Sequence, residues 1–105
     1  MDPIAVIATK RDGGELSRTQ IREIIAAYTA GDVAPEQMSS LLMAIVLNGM
    51  SRREIADWTT AMVDSGIRLD LSDLRTVDKH STGGVGDKIT LPLTPLVASY
   101  GLAVP

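Results

Sequence analysis

Each amphipathic stretch in the first 66 residues is closed by a glycine, and two of them open on a capping-box spacing. That punctuation restricts this half of the chain to short helices. Pro3 to Lys10 reads as the first, with Pro3 in its first turn, Ile4 and Ile7 on one side, and Gly13-Gly14 as its stop. Ser17-Arg18-Thr19-Gln20 has the Ser/Thr-x-x-Glu/Gln spacing of a helix start. Beyond it, Ile21, Ile24, Ile25 and Tyr28 recur at i, i+3, i+4 and i+7 until Gly31. A third helix begins near Pro35. Its Met38, Leu41, Leu42, Ile45, Val46 and Leu47 make one broad apolar face, and Gly49 ends it. Ser51-Arg52-Arg53-Glu54 repeats the capping spacing. Ile55, Trp58, Met62 and Val63 then mark a fourth helix, closed by Gly66.

After Gly66 the character of the chain changes. Leu69, Leu71 and Leu74 alternate with Asp70, Ser72 and Asp73 in a connector, and Thr76-Val77-Asp78 is a strand candidate. Leu91, Leu93, Leu96, Val97 and Tyr100 point to a further helix ending at Gly101. Pro92 suits its first turn, whereas Pro95 sits badly in its interior. Ala103-Val104 opens a second strand. The expected fold is therefore mainly α. A helical domain of residues 1–66 leads through a connector, 67–75, into the first strand, glycine loop and helix of an α/β domain, 76–105, which is incomplete.

The chemistry concentrates in residues 76–88, Thr-Val-Asp-Lys-His-Ser-Thr-Gly-Gly-Val-Gly-Asp-Lys. A strand end, three side chains able to hold an anion (Lys79, Ser81, Thr82), three glycines (Gly83, Gly84, Gly86) and a helix-capping Asp87 together describe a phosphate cradle. Glycines let backbone N–H groups approach phosphate oxygens, and the positive end of a helix favours the charge. It is neither of the common nucleotide loops. Gly86 is followed by Asp87, so there is no Gly-Lys pair, and Ile89 stands where a dinucleotide fingerprint needs its third glycine.

Composition removes other classes. The net charge of −3 and the absence of a basic stripe argue against nucleic acid as a partner. Arg52-Arg53, the one paired basic site, reads as a solvated face. There is no cysteine, hence no disulfide or thiolate metal site. No apolar run approaches the ~20 residues of a membrane span, and no signal-peptide core is present, so no membrane association is expected and the cytoplasm is the default. With no Phe, one Trp and two Tyr, the chain offers no stacking platform for bases.

The run Asp78 to Asp87 closely resembles the signature of the thymidine and pyrimidine-nucleoside phosphorylases. Lys10-Arg11-Asp12-Gly13-Gly14 is similar to the Lys-Arg-Asp-Gly that closes this family's first helix. Met62 to Gly66 is similar to the end of its helical segment. The resemblance implies a small helical domain that carries a homodimer contact, beside a large α/β domain with the active site in the cleft between them. It also implies a reversible reaction in which phosphate attacks a pyrimidine (deoxy)nucleoside to give free base and (deoxy)ribose 1-phosphate. Inorganic phosphate and the nucleoside are the expected partners, and no cofactor is expected beyond a potassium ion. The family's enzymes are several times longer, so the chain is expected to be an N-terminal portion and inactive by itself.

Residue by residue, the resemblance assigns phosphate contacts to Lys79, Ser81 and Thr90, with Gly83 and Gly84 allowing close backbone approach. It makes His80 the candidate catalytic proton donor to the leaving base, and Gly86 a candidate main-chain ligand of potassium. Each also has a plainer reading: a surface lysine, a structural histidine, turn hydroxyls, first-turn solvation for Thr90, and glycines needed only for unusual backbone angles. Asp87 reads most simply as a helix cap, and Glu54 as part of its capping box. Two alternatives remain for the whole: a helical dimerisation module, its apolar faces being broad for so small a unit, or a related phosphoribosyltransferase. The latter has a shorter glycine loop and lacks the Lys-His-Ser run.

Overall fold

The computed structural model describes residues 1–80 and 86–105. These form two compact units, Met1–Arg68 and Leu69–Pro105.

The first unit is built from α1 (Pro3–Arg11), α2 (Arg18–Ala30), α3 (Pro35–Asn48) and α4 (Arg52–Ser65). Both capping boxes form. Ser17 Oγ accepts from Gln20 N at 3.2 Å while Gln20 Oε1 accepts from Ser17 N at 2.9 Å. Ser51 and Glu54 exchange the same pair of bonds. The start of α3 has half a box: Gln37 Oε1 accepts from Ala34 N, and Ala34 has no side-chain acceptor to return the bond. Gly31 ends α2 at φ 85°, the left-handed conformation glycine adopts without steric cost.

Helix α1 packs on α3, and α2 on α4. Val6, Leu16, Ile21, Ile24, Ile25, Val33, Met38, Leu41 and Ala61 form one buried cluster. Each large apolar side chain fully buried there contributes about 1.5–3 kcal/mol. The face that α4 turns inward differs from the one expected. Glu54, Asp57 and Ala61 are its buried residues, while Ile55, Met62 and Val63 are exposed and Trp58 only partly covered. The reason is charge pairing. Glu54, fully buried, accepts from Lys10 Nζ at 2.9 and 3.0 Å, from Leu16 N at 2.8 Å and from Ser51 N at 2.8 Å. Asp57 accepts from Arg18 at 2.7 Å and from Arg53 at 3.1 Å. Arg53 also donates to Glu15 and to the Leu16 carbonyl, so it is a tie between loop and helix as well as a solvated side chain. Burial pushes the Glu54 carboxyl up, but the bonds from Leu16 N, Ser51 N and Lys10 outweigh that and hold it below the usual carboxylate range.

In the second unit a 3-10 turn, Asp87–Ile89, leads into α5 (Thr90–Ala98). The N-cap position of α5 is Ile89, and Asp87 is the first residue of the turn before it. Pro95 lies inside α5, the uncomfortable position foreseen for it. Thr76 and Ala103 make a parallel bridge, with Val77 N donating to the Ala103 carbonyl and Ala103 N to the Arg75 carbonyl, each at 3.0 Å. Among the described residues the two expected strands go no further than this bridge. A single pair of short parallel segments has no neighbouring strand to extend it. Also among the described residues, no helix is long and apolar enough to cross a membrane.

Candidate phosphate-binding site

The segment between the Thr76 bridge and α5 holds the residues singled out in the sequence. Lys79 lies three residues beyond the bridge and is half-buried. Its ammonium donates to Thr90 Oγ1, the first residue of α5, at 2.5 Å. Two of the expected phosphate residues, 11 positions apart, are thus brought together across the glycine run. The half-buried Thr90 hydroxyl accepts the lysine proton, and the Thr90 carbonyl accepts from Thr94 Oγ1, which ties this end of the site to the first turn of α5. The bridge fixes the backbone just ahead of Lys79, and α5 fixes Thr90. A cation and a hydroxyl are thereby held together on two anchored elements.

His80 is exposed and adjoins Lys79. Gly86 has φ 114°, a conformation that side-chain-bearing residues rarely adopt. It therefore has a backbone requirement of its own, whether or not its carbonyl meets an ion. Ser81, Gly83 and Gly84, with Thr82, lie outside the described residues.

The helical unit has a cleft of about 660 Å³ between α2 and α4, lined by Thr19, Arg22, Glu23, Ala26, Ala61 and Asp64 among others. With two carboxylates against one guanidinium, it is no anion site.

Comparison with known proteins places the chain. Residues 4–66 match the glycosyl transferase family, helical bundle domain. The chain belongs to that family. Thymidine phosphorylase from Mycobacterium tuberculosis is 66% identical over 106 aligned residues, covering 99% of this chain and 25% of that protein. Pyrimidine-nucleoside phosphorylase from Geobacillus stearothermophilus is 52% identical, with 99% and 24% covered. Thymidine phosphorylase from Rhizobium meliloti is 49% identical, with 100% and 24% covered. The chain spans about a quarter of the length of these relatives. The similarity runs through the glycine segment as well as the helical bundle, so the resemblance seen in the motifs extends along nearly the whole chain.

Proposed function

We propose that this chain is the helical domain and opening phosphate segment of a thymidine or pyrimidine-nucleoside phosphorylase, a pentosyltransferase. In this reading residues 1–66 form the dimerising domain, 67–75 a connector and 76–105 the start of the phosphate-binding domain. The observation that carries it is the meeting of Lys79 and Thr90 across the glycine run.

Phosphate is the nucleophile. It arrives as a dianion and must be held against the anomeric carbon while positive charge develops on the sugar. Lys79 supplies the full charge, Ser81 and Thr90 supply hydroxyls, and Gly83 and Gly84 leave their N–H groups free of side-chain cover. Phosphate displaces the Lys79–Thr90 bond and takes a contact from each partner. Orientation and electrostatics provide most of the rate, and no covalent enzyme intermediate is required. His80 protonates or stabilises the departing pyrimidine, and a potassium ion is held in part by the Gly86 carbonyl. The enzyme works as a cytoplasmic homodimer.

The test is phosphate-dependent release of free base from thymidine and uridine. The complete enzyme carrying this segment releases base and forms pentose 1-phosphate, and the 105-residue chain alone does not, because catalysis needs both reactants fixed together. Failure of the complete enzyme with every pyrimidine nucleoside contradicts the reading. A dimerisation role for the helical unit is supported by a separate observation: Leu42, Met43, Val46 and Leu47 of α3 are all exposed. It is compatible with the phosphorylase reading.

A further inference from the structure

Asn48 is the chain's only asparagine, and Gly49 follows it. Asparagine before glycine is the sequence most prone to deamidation, because no side chain shields the following peptide nitrogen. That nitrogen loses its proton to solvent base and attacks the asparagine Cγ. The N–Cγ bond closes a succinimide, the Cγ–Nδ2 bond breaks and ammonia leaves. Water then opens the ring at either carbonyl to give aspartate or isoaspartate.

Both reacting groups are committed here. Asn48 Nδ2 donates to the carbonyls of Lys10 and Arg11, at 3.0 and 3.1 Å, in the last turn of α1. The Lys10 carbonyl also accepts from Gly13 N at 3.1 Å, so Asn48 joins the backbone bonds that close α1. Gly49 N donates to the Ile45 carbonyl at 2.7 Å and so closes α3. The side chain that would be attacked is therefore a clamp between α1 and α3, and the attacking nitrogen is the last helical donor of α3. Asn48 and Gly49 are both exposed, so solvent base and water reach them.

We propose that Asn48-Gly49 is a modification site gated by the α1–α3 junction. Docking protects it, local opening releases both groups to react, and the product cannot restore the clamp. A carboxylate has no proton to donate, so the Lys10 and Arg11 carbonyls would face negative charge where they had a donor, and isoaspartate also lengthens the backbone at the end of α3. The reaction is a one-way record of junction opening.

The intact chain and a guanidinium-unfolded sample are incubated at the same mildly alkaline pH, and deamidation at Asn48 is followed by peptide-mapping mass spectrometry. Asp12-Gly13, which isomerises without a mass change, does not interfere. The folded chain should react at least about tenfold more slowly, since the clamp and the α3 bond must open first. Asn48→Asp should melt below Asn48→Ala, which loses the donor without adding charge, and both below the parent. Equal rates in folded and unfolded chains would overturn the gating. An Asn48→Asp protein that melts at the parent temperature would overturn the irreversible loss of the clamp.

Discussion

Lys10 and Glu54, 44 residues apart, meet inside the helical unit with the ammonium 2.9 and 3.0 Å from the two carboxylate oxygens. Both side chains are almost wholly shielded from water, at 4% and 0% exposure, so neither charge has an alternative partner in solvent. The pair ties the end of α1 to the start of α4, and the Leu16 N–H bond adds the loop between α1 and α2.

Removing one partner should therefore cost far more than an exposed ion pair would. Lys10→Met leaves a buried carboxylate without its cationic partner, held only by the Leu16 and Ser51 N–H groups, and should lower stability by about 3–5 kcal/mol. The double variant Lys10→Met with Glu54→Leu should recover part of the loss. Urea unfolding of the two variants and the parent checks this. A single variant as stable as the parent would show that the pair does not hold the unit together.

The same pair sets an acid limit. The folded Glu54 carboxyl is held below its ordinary range. A depressed carboxylate contributes stability that is fully present above the unfolded value of about 4.3 and is lost as pH falls through the folded value. Stability should thus decline from about pH 4 downward, and Glu54→Gln should flatten that part of the profile while lowering stability at neutral pH. Melting temperatures measured from neutral to acid pH test it.

Two glycines should respond in opposite directions to alanine. A Cβ on Gly14 would stand 2.9 Å from the Thr9 carbonyl oxygen and 3.0 Å from Thr9 Cγ2, so Gly14→Ala forces the end of α1 to shift and should destabilise by about 1–3 kcal/mol. Gly66 has φ −107° and open space around it. Gly66→Ala reduces the freedom of the unfolded chain and should stabilise by about 0.4–1 kcal/mol. Paired denaturation curves decide both signs.

Helix α3 leaves Met43, Val46 and Leu47 exposed by 58, 76 and 75%. A contiguous apolar face of this kind calls for a partner surface. The chain should self-associate in sedimentation, and Val46→Glu should weaken the association without unfolding the helices. A strict monomer at high concentration would contradict it.

Helix limits were legible in the sequence because capping boxes and glycine stops are local. Ser17-Gln20, Ser51-Glu54 and Gly31 act where they were expected to. The inward face of α4 was not legible. Periodicity marked Ile55, Met62 and Val63, while the buried positions went to Glu54 and Asp57, whose partners Lys10 and Arg18 lie on other helices. Long-range charge pairing leaves no local pattern. In the second unit, Lys79 and Thr90 were each picked out, but their direct contact depends on the path of the loop between them. The strand at Thr76 came out as a single bridge, because pairing depends on neighbours that residues 76–78 do not specify.

We propose that the segment from Lys79 to Thr90 binds phosphate. Its most direct test is steady-state kinetics of the complete phosphorylase carrying Lys79→Ala, with phosphate and thymidine varied separately. A charge-assisted hydrogen bond is worth about 1.5–3 kcal/mol, so phosphate efficiency should fall roughly 10- to 150-fold with little change in the nucleoside term. Ser81→Ala should lose less, within the neutral range of about 0.5–1.5 kcal/mol. Unchanged phosphate kinetics in Lys79→Ala, or a loss confined to the nucleoside term, would contradict the claim.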